Sequence, residues 1–151
     1  MAKLLYGLIV QRILTDRETN SVSYIELVDG FNVPALPVAL PPFSVGTAWE
    51  PMEDETDLHV RVTFLGSDNK AITGPTEVPG QRFQGRNRHR VNVNFVGVPV
   101  AVAGDYFVSV EQKRGDEWIE EDRFRLVVNY VPQQPRFVIQ QGNTAIPLKQ
   151  A

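Results

Sequence analysis

The amino-acid sequence predicts an all-β protein, an antiparallel sandwich or barrel of about eight short strands. Apolar and polar residues alternate with period two through much of the chain, as they do when one face of each strand meets a core. Turn-forming residues separate these segments, and apolar residues at helical spacing are nearly absent. Together these three observations favour packed sheets over a helical architecture.

Four segments carry the clearest alternation, with apolar side chains on one face and mostly polar ones on the other. They are residues 58–64, 91–95 (extended to 89–96), 106–111 and 124–130. Weaker strands are predicted near residues 4–14, 22–28, 43–50 and 76–84. If the strands form two layers, one common interior should hold Val60, Val93, Val108 and Leu126.

Turn chemistry supports the ends of these strands. Gly66-Ser67-Asp68-Asn69 follows the first clear segment. Lys113-Arg114-Gly115-Asp116 joins the strand that begins at Tyr106 to the strand that contains Phe124. This second turn predicts a β-hairpin.

Composition narrows the class of protein without naming a partner. With 42% hydrophobic residues, 22% charged residues and a net charge of -3, the chain matches globular rather than disordered or fibrous proteins. It has no cysteine, which excludes disulfides, thiolate zinc sites and thiol nucleophiles. The apolar start runs into Gln11 and Arg12, so we read it as a first strand rather than a secretion signal. No stretch reaches the roughly 20 apolar residues of a membrane-spanning helix, and we expect a cytoplasmic protein without a membrane partner.

Gly104-Asp105-Tyr106, directly before a predicted strand, resembles the tyrosine corner of immunoglobulin-like sandwiches. In that motif the tyrosine hydroxyl bonds back to upstream backbone. The resemblance implies that Tyr106 opens strand F, that the hairpin through Gly115 leads to strand G, and that residues 89–96 form strand E. The cysteine pair of antibody domains is missing, and Trp49 is a candidate for the core indole.

A wider pattern is similar to a family of bacterial sandwich domains of unknown function. Its parts are Asp29-Gly30, Pro34-Ala35-Leu36-Pro37, Pro41-Pro42, the strand to Trp49, and Ala103-Gly104-Asp105-Tyr106 with its hairpin. The similarity covers about residues 3–130. It implies a bacterial β-sandwich of residues 1–131 and brings no functional residues with it.

Two segments bear on partners. The first strand is apolar on both faces, so something must cover its outer face, and the proline-rich residues 34–42 are expected to do so. Residues 132–151 form a nearly uncharged tail that is too apolar for simple disorder. The tail either docks on its own domain or is disordered, or it reaches a neighbouring chain as an arm that adds a strand to an open sheet edge. The candidate contact residues are Phe137, Ile139, Ile146 and Leu148.

Charged loops suggest two kinds of ligand. Carboxylates suited to calcium lie in two acidic clusters, and the candidate ligands are Glu53, Asp54, Asp57 and Asp116. The alternative is that these loops are simply solvated. A basic stretch offers anion contacts through Arg82, Arg86, Arg88 and Arg90, although the net acidic chain disfavours nucleic acid as a partner. Pairing with acidic neighbours is the competing interpretation of these arginines.

The sequence shows no catalytic or cofactor motif. The chain has two histidines, His59 and His89, and both are read as structural strand residues. Trp118, Phe107 and Phe83 are candidates for a sugar-binding row of rings, with cross-strand packing as the alternative. We therefore expect a non-catalytic, cofactor-free module that binds another protein or itself, as a homo-oligomer or as a subunit of a larger bacterial or phage assembly. The alternative is a calcium-binding or anion-binding module.

Overall fold

The computed structural model describes residues 2–52, 57–85, 87–132, 136–140 and 144–148. Over these residues the protein consists of strands and loops, and no helix there is long and apolar enough to cross a membrane. The strands are β1 (Ala2–Thr15), β2 (Val22–Leu27), β3 (Gly30–Val33), β4 (Val38–Ala39), β5 (Phe43–Pro51), β6 (Asp57–Leu65), β7 (Thr76–Arg82), β8 (His89–Phe95), β9 (Pro99–Val100), β10 (Gly104–Arg114), β11 (Glu117–Tyr130), β12 (Arg136–Gln140) and β13 (Thr144–Leu148).

Two large sheets make up the body of the fold. The first has the strand order β2-β1-β5-β8 and the second the order β3-β11-β10-β6-β7. The pairs β4–β9 and β12–β13 form two small sheets of their own. The all-β prediction is confirmed, but the strands are more numerous than expected, and β3 runs parallel to β11. The arrangement is therefore mixed rather than purely antiparallel.

The strands predicted from alternation are all present, as β1, β2, β5, β6, β7, β8, β10 and β11. The predicted hairpin through Gly115 joins β10 to β11. The sequence did not predict β3, β4 and β9, which have only two to four residues each. Such strands are too short to show a period, and their pairing partners decide whether they form.

Both large sheets contribute to one core. Val93 of the first sheet shares it with Val60, Val108 and Leu126 of the second, which confirms the predicted common interior. Phe43 of β5 and Phe64 of β6 join the two layers, with ring centroids 5.9 Å apart. Trp49 is fully buried in the same cluster. The core therefore lies between the sheets, as in a sandwich.

The proline-rich segment differs from its prediction. We expected residues 34–42 to cover the outer face of the first strand. Leu40 instead belongs to the shared core, and Leu36 and Val38 pack against it. The physical reason is the spacing of Val38 and Leu40, because side chains two positions apart along an extended chain point to the same side.

Tyr106 lies at the start of β10, where it anchors the preceding loop. Its hydroxyl donates a hydrogen bond to the carbonyl oxygen of Val102. Its ring stacks on Phe64, with centroids 5.5 Å apart. One side chain thus contributes to the core and fixes the backbone that leads into the strand.

Candidate functional site

β8 is the outermost strand of the first sheet, and within the described part of the chain only one of its sides is paired. It pairs with β5 over seven consecutive residues without a register shift. Its inward side chains Val91, Val93 and Phe95 are buried, and the outward ones, Arg90, Asn92 and Asn94, are exposed. The side away from β5 presents backbone N–H and C=O groups, which can template a further strand.

The other sheet edges carry features that hinder pairing. β7 contains Pro79, which has no amide hydrogen, and Gly80, whose φ of 61° marks a bulge beside a register shift. β2 is distorted at Glu26, a non-glycine residue with a φ of 55°. β3 has four residues. β8 has no proline, glycine or residue with positive φ, so it is the most regular of the four edges.

A polar, aromatic cluster lies on the outer face of the first sheet beside β8. In the strand register Ala48 of β5 lies opposite both Tyr6 of β1 and Arg90 of β8. The Nε of Arg90 donates to the Tyr6 hydroxyl at 3.5 Å, and that hydroxyl lies 3.2 Å from the hydroxyl of Tyr24. The two tyrosine rings meet edge to face, with centroids 6.0 Å apart.

Gly46 makes room for this cluster. It follows Val45, whose side chain enters the core, and so faces the opposite side of β5. A Cβ atom at this position would collide with the ring of Tyr24. The absence of a side chain at Gly46 therefore lets β2 lay Tyr24 across the outer face of β5.

The pKa values of the two tyrosine hydroxyls shift in opposite directions. Burial raises the pKa of Tyr24 to about 12, and its hydrogen bond to Tyr6 adds to the effect. Burial opposes ionisation of Tyr6 as well, but hydrogen bonds with Tyr24 and Arg90 and the charges of Arg90 and Arg88 lower the pKa of Tyr6 overall. The positive charges of Arg88 and Arg90 therefore both favour the ionised form of the Tyr6 hydroxyl.

The structure distributes the predicted anion-binding arginines over two places. Arg90 and Arg88 act on Tyr6, as described above. Arg82 lies at the end of β7, and its Nε is 3.4 Å from Asp57 in an exposed ion pair. Arg86 lies outside the described residues. Arg90 thus contacts Tyr6, Arg88 influences the same hydroxyl through its charge, and Arg82 pairs with an acidic neighbour.

The structure does not bring the predicted calcium ligands together into one site. Asp57 and Asp116 fall at the same end of the second sheet, because β6 and β10 run antiparallel with Val60 opposite Gln112. Asp57 pairs with Arg82. Glu53 and Asp54 lie outside the described residues. Among the residues that are described, no three histidine or acidic side chains are grouped as a metal site.

Two further carboxylates near the β10–β11 hairpin, Glu120 and Glu121, are paired with arginines. Glu120 binds Arg123 at 2.9 Å, and Glu121 binds Arg114 at 2.7 Å. The hydrogen bond from Arg123 lowers the pKa of Glu120. Both carboxylates lie on β11, where one makes a cross-strand ion pair and the other a local one.

The two histidines serve different strands. His89 begins β8, and its Nε2 lies 3.0 Å from Oε1 of Gln81. Burial lowers the pKa of His89. His59 on β6 accepts a long hydrogen bond of 3.4 Å from the amide of Gly80 through Nδ1. Both side chains thus contact β7, which pairs with β6 but belongs to a different sheet from β8.

The candidate sugar-binding rings do not form a row. Arg61 lies over the Trp118 ring, 4.4 Å from its centroid, and Arg123 lies 5.8 Å from the centroid of Phe107. Phe83 meets His89 edge to face at 6.1 Å. Each ring has its own neighbour, which matches the cross-strand packing alternative.

The tail contains a separate hairpin. β12 and β13 pair with each other, and the described residues give them no ladder to either large sheet. Phe137 and Ile139 lie on β12, opposite Pro147 and Ala145, while Ile146 and Leu148 lie on β13. The ladder thus arranges the four predicted contact residues as one hairpin.

A cleft of about 530 Å³ lies at the end of the fold near Tyr106. Its described lining is mostly apolar and comes from Pro37, residues 66–72 and residues 99–106. Asp105 there pairs with Arg125 at 3.9 Å, and Asp68 accepts a hydrogen bond from the backbone of Lys70. The volume suits a small ligand, but no polar groups converge on its centre in the manner of a specific site.

Comparison with known proteins adds no relative, because neither a scan against protein-family models nor a search of curated proteins finds a match. The edge of β8 and the Tyr6–Tyr24–Arg90 cluster are the surfaces that sequence reasoning missed. The edge had a signal in the sequence, since residues 89–95 alternate regularly without proline or glycine. The cluster had none, because Arg90 lies 84 residues from Tyr6 in the chain.

Proposed function

We propose that this chain is a non-catalytic protein-interaction module of the immunoglobulin-like sandwich type, which acts by accepting a strand at the edge of β8. The observation that carries the proposal is the regularity of that edge, against the short or distorted edges elsewhere. Strand addition gains affinity from main-chain hydrogen bonds, and the alternating side chains of the two strands set specificity.

Strand order supports the immunoglobulin-like part of the proposal. On this proposal β1, β5 and β8 would correspond to strands A, B and E, and β11, β10, β6 and β7 to G, F, C and C′, because they follow the same order within each sheet. The hydrogen bond from Tyr106 to Val102 runs from the tyrosine hydroxyl back to upstream backbone, as the proposed tyrosine corner requires, and supports it. Strand D, which would lie beside strand E, has no counterpart among the described residues between β7 and β8.

On this proposal, the lack of a strand D among the described residues would account for the unpaired side of β8. In an immunoglobulin domain of the constant type, strand E is paired on both sides, by B and by D. Here β8 keeps the regular geometry of an inner strand, but one neighbour is lacking in the described structure. A module inside a bacterial or phage assembly, or a cytoplasmic homo-oligomer, could use this vacancy for a strand of its partner.

Hydrogen exchange read residue by residue by NMR tests the proposal on the full chain, diluted until it is monomeric. The probe is a designed strand peptide of alternating threonine and valine with a lysine at each end. We expect slower exchange for the β8 amides that point away from β5, and no change along β7, where Pro79 and Gly80 interrupt the edge. The same peptide with every amide methylated is the control, because it cannot donate hydrogen bonds. Unchanged exchange along β8 would contradict the proposal.

Anion binding is the second candidate, favoured by one observation: Arg90 and Arg88 both act on Tyr6. Its test is the melting temperature in phosphate against chloride at equal ionic strength, since a ligand of the folded state stabilises it. We expect a rise that Arg90→Gln abolishes and that Arg82→Gln retains, because Arg82 lies in the Asp57 pair instead. Equal melting temperatures in the two salts would remove this candidate.

A further inference from the structure

We propose that the strand accepted by β8 is β8 of a second copy of this chain, in a two-fold antiparallel pair centred on Asn92. This inference rests on the proposed function and names its partner. The two first sheets would then join into one continuous sheet of eight strands, twice the four that each copy supplies. An open sheet of that width is within the range that proteins form.

The length of the strand selects the register. A two-fold axis through Asn92 pairs His89 with Phe95 of the second copy and pairs every residue of the seven-residue strand. An axis through any other residue leaves part of the strand unpaired. An axis through Arg90 would also set two arginines directly opposite each other, which destabilises a strand pair.

Side chains match on both faces in this register. On the inner face Val91 lies opposite Val93 of the second copy, so two β-branched residues continue the apolar interior, where each is already buried. On the outer face Arg90 lies opposite the neutral Asn94, and Asn92 opposite its own copy. Opposed asparagine amides can donate and accept hydrogen bonds to each other.

Electrostatic repulsion between the two copies does not oppose this pairing of β8 strands. Arg90 is the only charged side chain on the outer face of β8. The Arg90 of the second copy would stand beside Asn94, four residues along the strand, or roughly 13 Å away. This separation exceeds the Debye length of about 8 Å at physiological ionic strength, so repulsion between the two arginines is largely screened.

Sedimentation equilibrium of the full chain and three variants tests the inference. We expect the wild type to approach twice its 17.0 kDa mass as concentration rises. Asn92→Lys sets two lysines against each other on the axis and should weaken the dimer at least about tenfold. Asn94→Asp creates two arginine–aspartate pairs and should tighten it roughly two- to tenfold, with the gain lost at high salt. Asn87→Lys adds the same charge outside the strand and should leave the dimer unchanged.

The outcomes separate this inference from the proposed function. A chain that stays monomeric at every concentration overturns self-pairing, as does a dimer that Asn92→Lys and Asn87→Lys weaken equally. If Asn92→Lys leaves the dimer affinity unchanged but deletion of residues 132–151 abolishes the dimer, self-pairing through β8 is also overturned, and the contact belongs to the tail. In each case, slower β8 exchange with the designed peptide retains the proposed function, and unchanged exchange removes both.

Discussion

Gln112 and the backbone of Ala2 exchange two hydrogen bonds across the interior of the fold. The amide of Ala2 donates to Oε1 of Gln112 at 2.8 Å, and Nε2 of Gln112 donates to the carbonyl of Ala2 at 2.8 Å. Gln112 belongs to β10 and Ala2 to β1, so this buried side chain ties the first strand of one sheet to the centre of the other.

Gln112→Leu should lower the free energy of unfolding by about 1–3 kcal/mol, because it leaves the amide and carbonyl of Ala2 without partners in a buried place. Urea unfolding measures the change. Gln11→Leu makes the same chemical change at an exposed position of β1 and should cost less than about 0.5 kcal/mol. Similar losses in the two variants would show that the link between the sheets contributes little.

Thr47 is the second polar residue on which the core depends. Its hydroxyl accepts a hydrogen bond from the Trp49 indole at 2.8 Å and donates one to the carbonyl of Val91 at 2.9 Å. Thr47→Val keeps the shape of the side chain but removes its hydroxyl, so the Trp49 indole N–H and the Val91 carbonyl each lose a hydrogen bond. We therefore expect the free energy of unfolding, measured with urea, to fall by about 1–3 kcal/mol. Thr47→Ser keeps the hydroxyl and should recover most of the loss. If the serine variant is no more stable than the valine variant, the hydroxyl is not the source of stability.

The period-two alternation of apolar and polar residues predicted most of the strands of this fold. The alternation of Asn92 and Val93 correctly assigned one to solvent and the other to the core, since burial of one face is a local property of a strand. Which strand pairs with which is not local. The Ala2–Gln112 link joins residues 110 apart in the chain, and Tyr6 and Arg90 are 84 apart. Nothing near Tyr6 in the sequence indicates that an arginine lies beside it.

The charged loops show the same limit. Arg82 and Arg90 belong to one basic stretch in the sequence, and we expected them to act together. A chain reversal between β7 and β8 places Arg82 on the second sheet and Arg90 on the first. Composition finds such stretches, but strand order decides which members share a surface.

Gly46→Ala should destabilise the protein through Tyr24. The new methyl group would occupy the space of the Tyr24 ring, and overpacking of this kind costs about 1–3 kcal/mol. In a Tyr24→Ser background the space is free, so the same substitution should cost nothing or stabilise the strand. Urea unfolding of the four proteins closes a double-mutant cycle. A coupling energy near zero would mean that the ring is not held against Gly46.

Acid should weaken the fold first through His89. Burial lowers its pKa below the value of about 6.5 that it has in the unfolded chain, so the unfolded state binds the proton more readily. The stability due to the neutral ring is complete above that unfolded value and is lost as pH falls toward the folded one. Glu120, whose lowered pKa makes it acid-sensitive as well, responds only below its usual 4.5.

Melting temperatures at pH 7.5 and 5.5 isolate the His89 contribution. The wild type should lose more stability between these values than His89→Gln, which retains an amide that can reach Gln81 and has no proton to gain. An NMR titration of the His89 ring provides the independent measurement, and its midpoint should lie below that of a free histidine. Equal losses in the two proteins, or a midpoint at or above 6.5, would show that the ring is not buried at the start of β8.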